Sequence, residues 1–382
     1  MFTLAVFTAP RASTNGGTRS YSKILGNIFQ KKGLTPTSLN AYLWYNQEVK
    51  TSRLLLLGSL FLAIFLAPFL VSAATAKLTY GAWIPYWKKT AGVAETTANL
   101  SKLNEISPFS YTVSTNGELV NTLKLDSDPW PTLFKNAQAK KVKILPSILW
   151  TDSASIDRTL RSTTTRQAQI KKIISEVITR NFDGIDIDYE NKFASTSPFF
   201  SSFLRDLGTQ LRAQGKTLSC TVEARTPPAS RYLVMPKVID YANDYPSLNK
   251  YCDQVRLMVY DQGTVDIKLN MARRLGGVYY PIADPTWVRK VVELALKDIS
   301  AKKLVLGVAT YGYELEVTDK IKYFDYTKIR SLSYKDLLQL AVDTKIVPKR
   351  NNAGELSLVY RTKEGKIRFA SFSDAQAVAD KI

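Results

Sequence analysis

Residues 182–190 read Phe-Asp-Gly-Ile-Asp-Ile-Asp-Tyr-Glu and place an acid at every second position of an apolar run. Side chains two residues apart on a β-strand point to the same face, so Asp186, Asp188 and Glu190 lie together while the residues between them face apolar packing. Like charges this close cannot all ionise easily, so we expect a raised pKa for at least one carboxyl group. Glu190, at the strand's end, can reach a ligand. The pattern predicts a general acid beside supporting carboxylates.

Short apolar runs alternate with longer amphipathic stretches from residue 77 onward, which is typical of strand-helix units in a parallel sheet. Helices are predicted at residues 170–179, 199–214 and 285–299, among others. A barrel of eight such units needs roughly 250 residues and fits within residues 77–382. The predicted fold class is α/β, a TIM (β/α)8 barrel. Seven of its strands are predicted at residues 80–84, 106–113, 143–149, 184–189, 217–223, 254–260 and 303–310.

The pattern changes after the seventh strand. A helix is predicted at residues 334–342 and a hairpin at 356–362 and 367–372, so residues 313–372 are interpreted as a small α+β insertion. The sequence then ends without a recognisable eighth strand. An open barrel leaves two strand edges unpaired, which is costly, so we expect a truncated gene or a fragment. Closure made in some other way is the less favoured hypothesis.

Residues 54–76 contain no charged residue and are long enough to cross a bilayer as a helix. The positive-inside bias predicts a cytoplasmic segment at residues 1–53 and export of residues 77–382. Ala74-Thr75-Ala76 resembles a signal-peptidase site, so an anchor, a cleaved signal and a mis-assigned start codon all remain open. The predicted location is extracytoplasmic, membrane-anchored or secreted. The charged residues behind this bias are Arg11, Arg19, Lys23, Lys31, Lys32, Lys50 and Arg53, against Glu48 alone.

The composition narrows the chemistry. The chain has no histidine, which excludes Ser-His-Asp and Cys-His machinery and histidine-ligated zinc sites. Its two cysteines, Cys220 and Cys252, are equally compatible with one bridge and with two thiols. The net charge of +19 suits anionic wall polymers or lipid headgroups, and no nucleic acid is expected because no basic run interleaves with aromatic residues. The sequence does not predict an oligomeric state.

Two motifs carry a resemblance to a known family. Asp183, Asp186, Asp188 and Glu190 form Asp-x-x-Asp-x-Asp-x-Glu, which resembles the signature of glycoside hydrolase family 18, the chitinase-like barrels. No calcium-loop spacing surrounds these acids, so no metal site is predicted. Residues 258–261, Met-Val-Tyr-Asp, are similar to the family's Met-x-Tyr-Asp motif. The resemblance implies that Tyr260 and Asp261 contact the acetamido group and the sugar, and it spans most of residues 78–381.

Catalytic groups in such barrels lie at the carboxyl ends of strands, so polar and aromatic residues there are candidates. Aromatic rings can stack on sugar rings, although the same residues also serve ordinary packing. Glu223 and Arg225 either line the cleft or form a local ion pair, and Asp183 is expected to be structural. The substrate-binding candidates are Asp261, Tyr111, Tyr86, Trp87, Gln262, Glu223 and Arg225.

The resemblance implies a retaining hydrolase of β-1,4-linked N-acetylglucosamine polymers that works by substrate assistance and needs no cofactor. Glu190 would be the acid and base, Asp188 would orient the acetamido group with Asp186 tuning it, and Tyr260 would hold the acetamido carbonyl. Residues 145–150 lack the Ser-x-Gly-Gly pattern common among chitinases. Residues 110–119 and 307–313 are more similar to the bacterial spore and peptidoglycan branch. Peptidoglycan is therefore the predicted substrate; chitin, a non-catalytic sugar-binding barrel and an anchored structural protein are the alternatives.

Overall fold

The computed structural model describes residues 3–7, 78–274, 277–320 and 323–382 of the chain. None of the helices in these ranges has both the length and the apolar character that a membrane span requires. The span predicted at residues 54–76 and the signal-peptidase-like site lie outside the described residues, so the prediction of a membrane helix stays a prediction.

Parallel strands follow one another around the barrel in chain order, as the alternating pattern predicts. The third predicted strand is divided at Pro146, because proline has no N–H to donate to the neighbouring strand. A short strand, β4 (Leu119–Asn121), pairs antiparallel with the second. The parallel strands are β2 (Thr79–Ile84), β3 (Glu105–Val113), β5 (Lys143–Ile144) with β6 (Ser147–Trp150), β7 (Gly184–Tyr189), β8 (Thr217–Glu223), β9 (Gln254–Met258) and β10 (Leu304–Ala309).

Helices connect these strands, and the longer ones bury apolar side chains against the barrel. Side chains of Asp152, Ser162 and Asp284 accept hydrogen bonds from the first turns of three of them, which fixes where those helices begin. The helices of the barrel are α1 (Lys89–Asn99), α2 (Trp130–Ala139), α3 (Ser153–Arg161), α4 (Thr163–Thr179), α5 (Ser197–Ala213), α6 (Pro228–Arg231), α7 (Tyr245–Tyr251), α8 (Ile267–Arg274) and α9 (Pro285–Ala295).

A strand near the N-terminus, β1 (Thr3–Phe7), lies between β10 and β2 and is antiparallel to both. It takes the place that an eighth parallel strand would occupy, so neither neighbouring edge is left unpaired. The barrel is thus closed in another way, which was the less favoured hypothesis. The assignment of residues 1–53 to a cytoplasmic segment stays a prediction.

The insertion predicted after the seventh strand is present. It is a five-stranded antiparallel sheet with one helix. It begins at Gly312, one residue before the predicted boundary. A Cβ atom at this position would lie 1.9 Å from the carbonyl oxygen of Ser371, so only glycine fits. The long first hairpin, formed by the first two strands of the insertion, was not predicted from the sequence. The elements are β11 (Gly312–Lys320), β12 (Tyr323–Leu332), α10 (Tyr334–Thr344), β13 (Lys349–Arg350), β14 (Leu356–Arg361) and β15 (Ile367–Phe372), followed by α11 (Ala375–Ala379).

Cys220 and Cys252 form a disulfide with their Cα atoms 6.1 Å apart. It joins β8 to the residue two positions before β9. The question that the sequence left open is thereby answered in favour of a bridge.

Arg256 on β9 lies at the centre of the barrel with its side chain 1% exposed. Its guanidinium group donates to Glu105 across the barrel and to the Ser107 hydroxyl at 2.9 Å. The guanidinium carbon also lies 5.5 Å from the ring centre of Trp83. A buried cation and a buried carboxylate each need the other, because neither is solvated by water. The pair therefore ties β3 to β9 through the interior.

We expect Arg256→Met to lower the free energy of unfolding by about 3–5 kcal/mol, because Glu105 would keep a buried charge without its partner. Urea denaturation followed by circular dichroism measures the change. Arg161→Met, which removes an exposed ion pair with Asp157, should cost less than about 1 kcal/mol. The double variant Glu105→Gln/Arg256→Met should recover part of the loss. Equal losses for Arg256→Met and Arg161→Met would contradict this account.

Candidate active site

A cavity of about 590 Å³ opens at the carboxyl ends of the barrel strands and extends along the insertion. This is the end of a parallel barrel at which catalytic groups are found. Both acids and aromatic rings line it, with two lysines at Lys88 and Lys328. The acids are Asp188, Glu190, Glu223, Asp261 and Asp336, and the rings are those of Trp83, Trp87, Phe109, Tyr260, Trp287, Tyr311 and Tyr313.

The acidic strand β7 is buried along its whole length, and its alternation places the acids as predicted. Asp186 is deepest, at 0% exposure. Its carboxylate accepts hydrogen bonds from Ser147 Oγ at 2.7 Å and Thr221 Oγ1 at 2.9 Å, and it lies 3.2 Å from the Arg256 guanidinium. These donors satisfy a charge that would otherwise be costly to bury. Asp186 is therefore a fixed carboxylate beneath the cavity.

Asp188 stands above Asp186 and has a different environment. It lines the cavity while being 1% exposed, and its Oδ1 atom has no hydrogen-bond partner among the described residues. Burial, followed by the charges of Glu190 and Asp186, raises its pKa well above the ordinary value. A neutral or shared-proton state is favoured where charge cannot be solvated. Asp188 therefore lies at the cavity with one carboxylate oxygen that has no partner among the described residues.

Glu190 is half-buried at the cavity wall, and its backbone N–H donates to Trp150 O at 2.8 Å. Burial raises the pKa of its carboxyl group, Glu223 and Asp261 raise it further, and Lys192 opposes them. A carboxyl group that keeps its proton closer to neutral pH is suited to general acid catalysis. The prediction of a raised pKa in this cluster agrees with this environment.

The turn after β7 is held by groups that the sequence analysis did not connect. Asn191 adopts a left-handed conformation with φ of 55°, and its N–H donates to Glu223 Oε1 at 2.9 Å. Asn243 donates to the other oxygen of Glu223 at 2.7 Å. Lys192, only 7% exposed, donates to the carbonyl of Tyr189 and lies over the ring of Phe200. Glu190 therefore has an anion and a cation close to it. The anion is Glu223, which is bound by the N–H of Asn191, and the cation is Lys192.

Tyr260 and Asp261 form a second cluster across the cavity. Burial, followed by the charges of Asp188 and Asp261, raises the pKa of Tyr260 well above its ordinary value, so its hydroxyl remains a donor. Asp261 has a left-handed backbone with φ of 55° and accepts hydrogen bonds from Tyr311 at 2.7 Å and Tyr313 at 2.5 Å. Tyr311 directly precedes the insertion and Tyr313 lies in its first strand, β11, so Asp261 joins the insertion to the barrel at the site.

Residues 82–382 match the model of the glycosyl hydrolases family 18. The chain belongs to this family. It is accordingly a glycosidase, and the resemblance carried by the two motifs is confirmed.

Relatives and solved structures of family 18 extend the comparison. YdhD of Bacillus subtilis, named as a sporulation-specific glycosylase, is 24% identical over 73% of this chain and 62% of its own length. The spore cortex-lytic enzyme SleL of Bacillus cereus has a TM-score of 0.61 at 19% identity, covering 79% of this chain and 66% of that one. A chitinase from Chromobacterium violaceum has a TM-score of 0.63 at 19% identity, covering 78% of this chain and 87% of that one. These structural likenesses show the shared fold.

Of the two aromatic candidates that follow β2, Trp87 lines the cavity and Tyr86 does not. Trp87 lines the cavity and is 54% exposed, whereas Tyr86 packs edge-on against it at 4.8 Å between ring centres and is not among the lining residues. Trp87 therefore offers an open ring face, and Tyr86 supports it.

Tyr111 was predicted to bind substrate, and it is not among the residues that line the cavity. Its ring is 2% exposed and its hydroxyl donates to Glu176 on α4 at 2.8 Å. The register of β3 against β6 shifts between Phe109 and Tyr111. Such a bulge re-aims side chains, so Phe109 lines the cavity while Tyr111 faces the surrounding helices.

Two further candidates, Gln262 and Arg225, lie outside the lining of the cavity. Gln262 is 1% exposed; it donates to Asn270 at 3.1 Å and accepts from the Asp284 N–H at 2.7 Å. Arg225 does not pair with Glu223: its guanidinium group lies between the rings of Tyr241 and Tyr245, 3.6 and 4.0 Å from their centres. Both were predicted to bind substrate, and neither lines the cavity.

Asp183 accepts a hydrogen bond from the Ile144 N–H at 2.8 Å, which places it in the barrel frame below the cavity. Six residues at or beneath the site were not among the predicted candidates: Arg256, Lys192, Lys328, Trp287, Tyr311 and Tyr313. A lone arginine inside the apolar run 254–260 is a signal that could have been used, since an unpaired charge is not tolerated in a central strand. The others are recognised only when distant segments meet.

The charges of Glu223 and Lys192 should shift the pH dependence of kcat/KM in opposite directions when each is removed. Glu223→Gln removes a negative charge and lowers the pKa of Glu190, so the high-pH limb of kcat/KM should move down by about one pH unit. Lys192→Met removes a positive charge, and the same limb should move up. Glutamine can still accept from the Asn191 N–H, so the turn is preserved.

The measurement is a pH profile of glycosidase activity for both variants, with exposed Glu118→Gln as the control that should leave the limb in place. If the high-pH limb moved in the same direction in Glu223→Gln and in Lys192→Met, the variants would be disturbing packing and not the charge near Glu190. Other groups that face Glu190 are Asp261 and Asp188. They are unchanged in each variant, so they cannot produce opposite shifts.

Proposed function

We propose that the chain cleaves β-1,4-linked polymers that contain N-acetylglucosamine, with peptidoglycan as the substrate, by a retaining, substrate-assisted mechanism. The observation that carries this proposal is the pairing of Glu190, whose surroundings raise its pKa, with Asp188, which lines the cavity and whose Oδ1 has no hydrogen-bond partner among the described residues. Family 18 is an exception to the rule that retaining glycosidases use a carboxylate nucleophile. The proposal therefore needs one acid and a means of orienting the substrate's own nucleophile.

In the first step, Glu190 gives its proton to the glycosidic oxygen while the bond from that oxygen to the anomeric carbon breaks. The oxygen of the substrate's acetamido group forms a new bond to the same carbon, so the sugar carries a cyclic cation. Water then attacks the anomeric carbon from the opposite side, the ring of the cation opens, and Glu190 takes the water's proton. The carboxyl group returns to its starting state, and the configuration at the anomeric carbon is retained.

Asp188 and Tyr260 orient the acetamido group in this proposal. The free Oδ1 of Asp188 accepts the acetamido N–H, and the negative charge that Asp186 keeps beneath it stabilises the cation. The raised pKa of Tyr260 keeps its hydroxyl protonated, so that it can donate to the acetamido oxygen before attack. Both groups act on the reacting sugar without becoming covalently attached to it.

Rings at the two sides of the cavity support binding of a polymer. Trp87 and Phe109 lie on the β2 and β3 side with ring centres 6.1 Å apart, while Tyr311 and Tyr313 lie on the insertion side. Flat apolar faces suit the carbon-rich faces of sugar rings. Peptidoglycan is favoured over chitin because similar proteins are named as sporulation-specific and spore cortex-lytic. Chitin remains the second candidate because structural neighbours include chitinases.

An extracytoplasmic location is part of the proposal, supported by the apolar segment at residues 54–76 and by the bridge between Cys220 and Cys252. Peptidoglycan lies outside the cytoplasmic membrane, so location and substrate agree. Fractionation of cells followed by immunodetection tests the location; recovery of the chain only in the cytoplasmic fraction would contradict it.

Replacement of Glu190 tests the mechanism. Glu190→Gln removes the transferable proton while keeping size and polarity, so we expect kcat to fall by about 10²–10⁴-fold with little change in KM. Release of reducing ends from purified sacculi and from chitin oligomers measures activity and substrate together. Glu118→Gln on the surface is the matched control and should retain full activity.

A wild-type chain that binds sugar oligomers but releases no reducing ends would replace the hydrolase proposal by a sugar-binding function. Release from chitin oligomers and none from sacculi would keep the mechanism and change the substrate. Full activity of Glu190→Gln would show that another group is the acid.

A further inference from the structure

The loop at residues 232–239, which connects α6 towards α7, exposes four large apolar side chains within six positions. Leu233 is 63% exposed, Val234 85%, Met235 53% and Val238 70%. Single exposed apolar residues are ordinary on protein surfaces, but a contiguous group marks a surface that meets something apolar. The loop takes no part in the cavity described above.

Both ends of this apolar loop are held firmly. On the α6 side, Ser230 donates to Asp266 at 2.5 Å and accepts from Lys290 at 2.6 Å. On the α7 side, Tyr241 and Tyr245 enclose the Arg225 guanidinium group. The apolar side chains are therefore presented outward by an anchored frame, which lowers the conformational entropy lost when they are buried.

The charges beside the apolar loop are positive. Arg231 and Lys237 are exposed, and residues 226–239 contain no acid; Asp240 follows them. Lys268, in the first turn of α8, is also exposed. Asp266, which precedes α8, is buried and accepts the hydrogen bond from Ser230. No salt bridge within the described ranges involves these three cations. An apolar tip among cations is the composition of surfaces that bind anionic lipid.

Other occupants fit less well. Leu, Val and Met side chains offer no flat ring for a sugar, so a polysaccharide would gain little there. A second copy bound by two-fold symmetry would bring the same cations close to one another. An anionic bilayer matches both properties, since its headgroups meet the cations and its acyl boundary accepts the apolar tip.

We propose that the apolar loop docks the protein on the surface of an anionic phospholipid bilayer. The loop follows β8, whose last residue, Glu223, lines the cavity. Docking therefore keeps the cavity close to the membrane, where it would act on polymer near the bilayer surface. The contact is interfacial and independent of whether residues 54–76 form a membrane helix.

Site-specific quenching tests this contact in the full chain. Both native cysteines are in the disulfide, so a dye attached to Val234→Cys marks the loop alone. The control is the same dye at Val347→Cys, since Val347 is 79% exposed on the insertion. Vesicles of phosphatidylglycerol and phosphatidylcholine carry a quencher on their acyl chains. We expect strong quenching at position 234 and little at position 347, with the difference lost on pure phosphatidylcholine.

A second variant separates docking from catalysis. Leu233→Ser/Val234→Ser/Met235→Ser/Val238→Ser should lower loop-dependent vesicle binding about tenfold and leave hydrolysis of soluble oligomers unchanged. Equal quenching at positions 234 and 347, or none at 234 on vesicles that carry the bound chain, would overturn the proposal. Light scattering that shows a dimer lost in this variant would overturn it in favour of self-association. A failure of sugar hydrolysis alone would not overturn the docking proposal, because the quenching assay does not depend on hydrolysis.

Discussion

The site depends on one buried cation. Arg256 enters the barrel interior from β9 and meets Glu105 on one side and Asp186 on the other. Without it, two carboxylates would lie in a dry interior with no cation beside them, which is costly. With it, Asp186 stays fixed by Ser147 and Thr221 and helps to raise the pKa of Asp188. The charges along the acidic strand therefore depend on Arg256, which lies beneath that strand.

Above that cation, each acid is set by a different neighbour. Asp186 is satisfied by donors, Asp188 has an oxygen left over, and Glu190 lies where burial and Glu223 favour its proton. One strand with a two-residue period thus provides three environments because solvent exposure increases along it. Lys192 limits the effect, since a nearby cation opposes the shift. Separation of roles among like groups by environment is how carboxylates become distinct acids and bases.

Much of this could be predicted from local sequence. The strands at 184–189 and 217–223 have the bounds predicted for them, and the acids share a face as the alternation requires. Predictions failed where the outcome depends on contacts between distant segments. The bulge beside Phe109 turns Tyr111 away from the cavity, and the guanidinium group of Arg225 lies between Tyr241 in the following loop and Tyr245 at the start of α7. Closure by β1 pairs residue 3 with residue 309, and no local pattern reports such a pairing.

The distribution of charge connects catalysis with the surroundings of the protein. The chain carries a net charge of +19, yet the cavity is lined by five acids and two lysines. An acidic cavity favours retention of the catalytic proton, because each carboxylate raises the pKa of its neighbours. A basic exterior raises the local concentration of anionic polymers and lipids without neutralising that cavity, since screening limits surface charges to about 8–10 Å. The same excess of lysine and arginine can therefore bring the protein to an anionic surface while Glu190 keeps its proton.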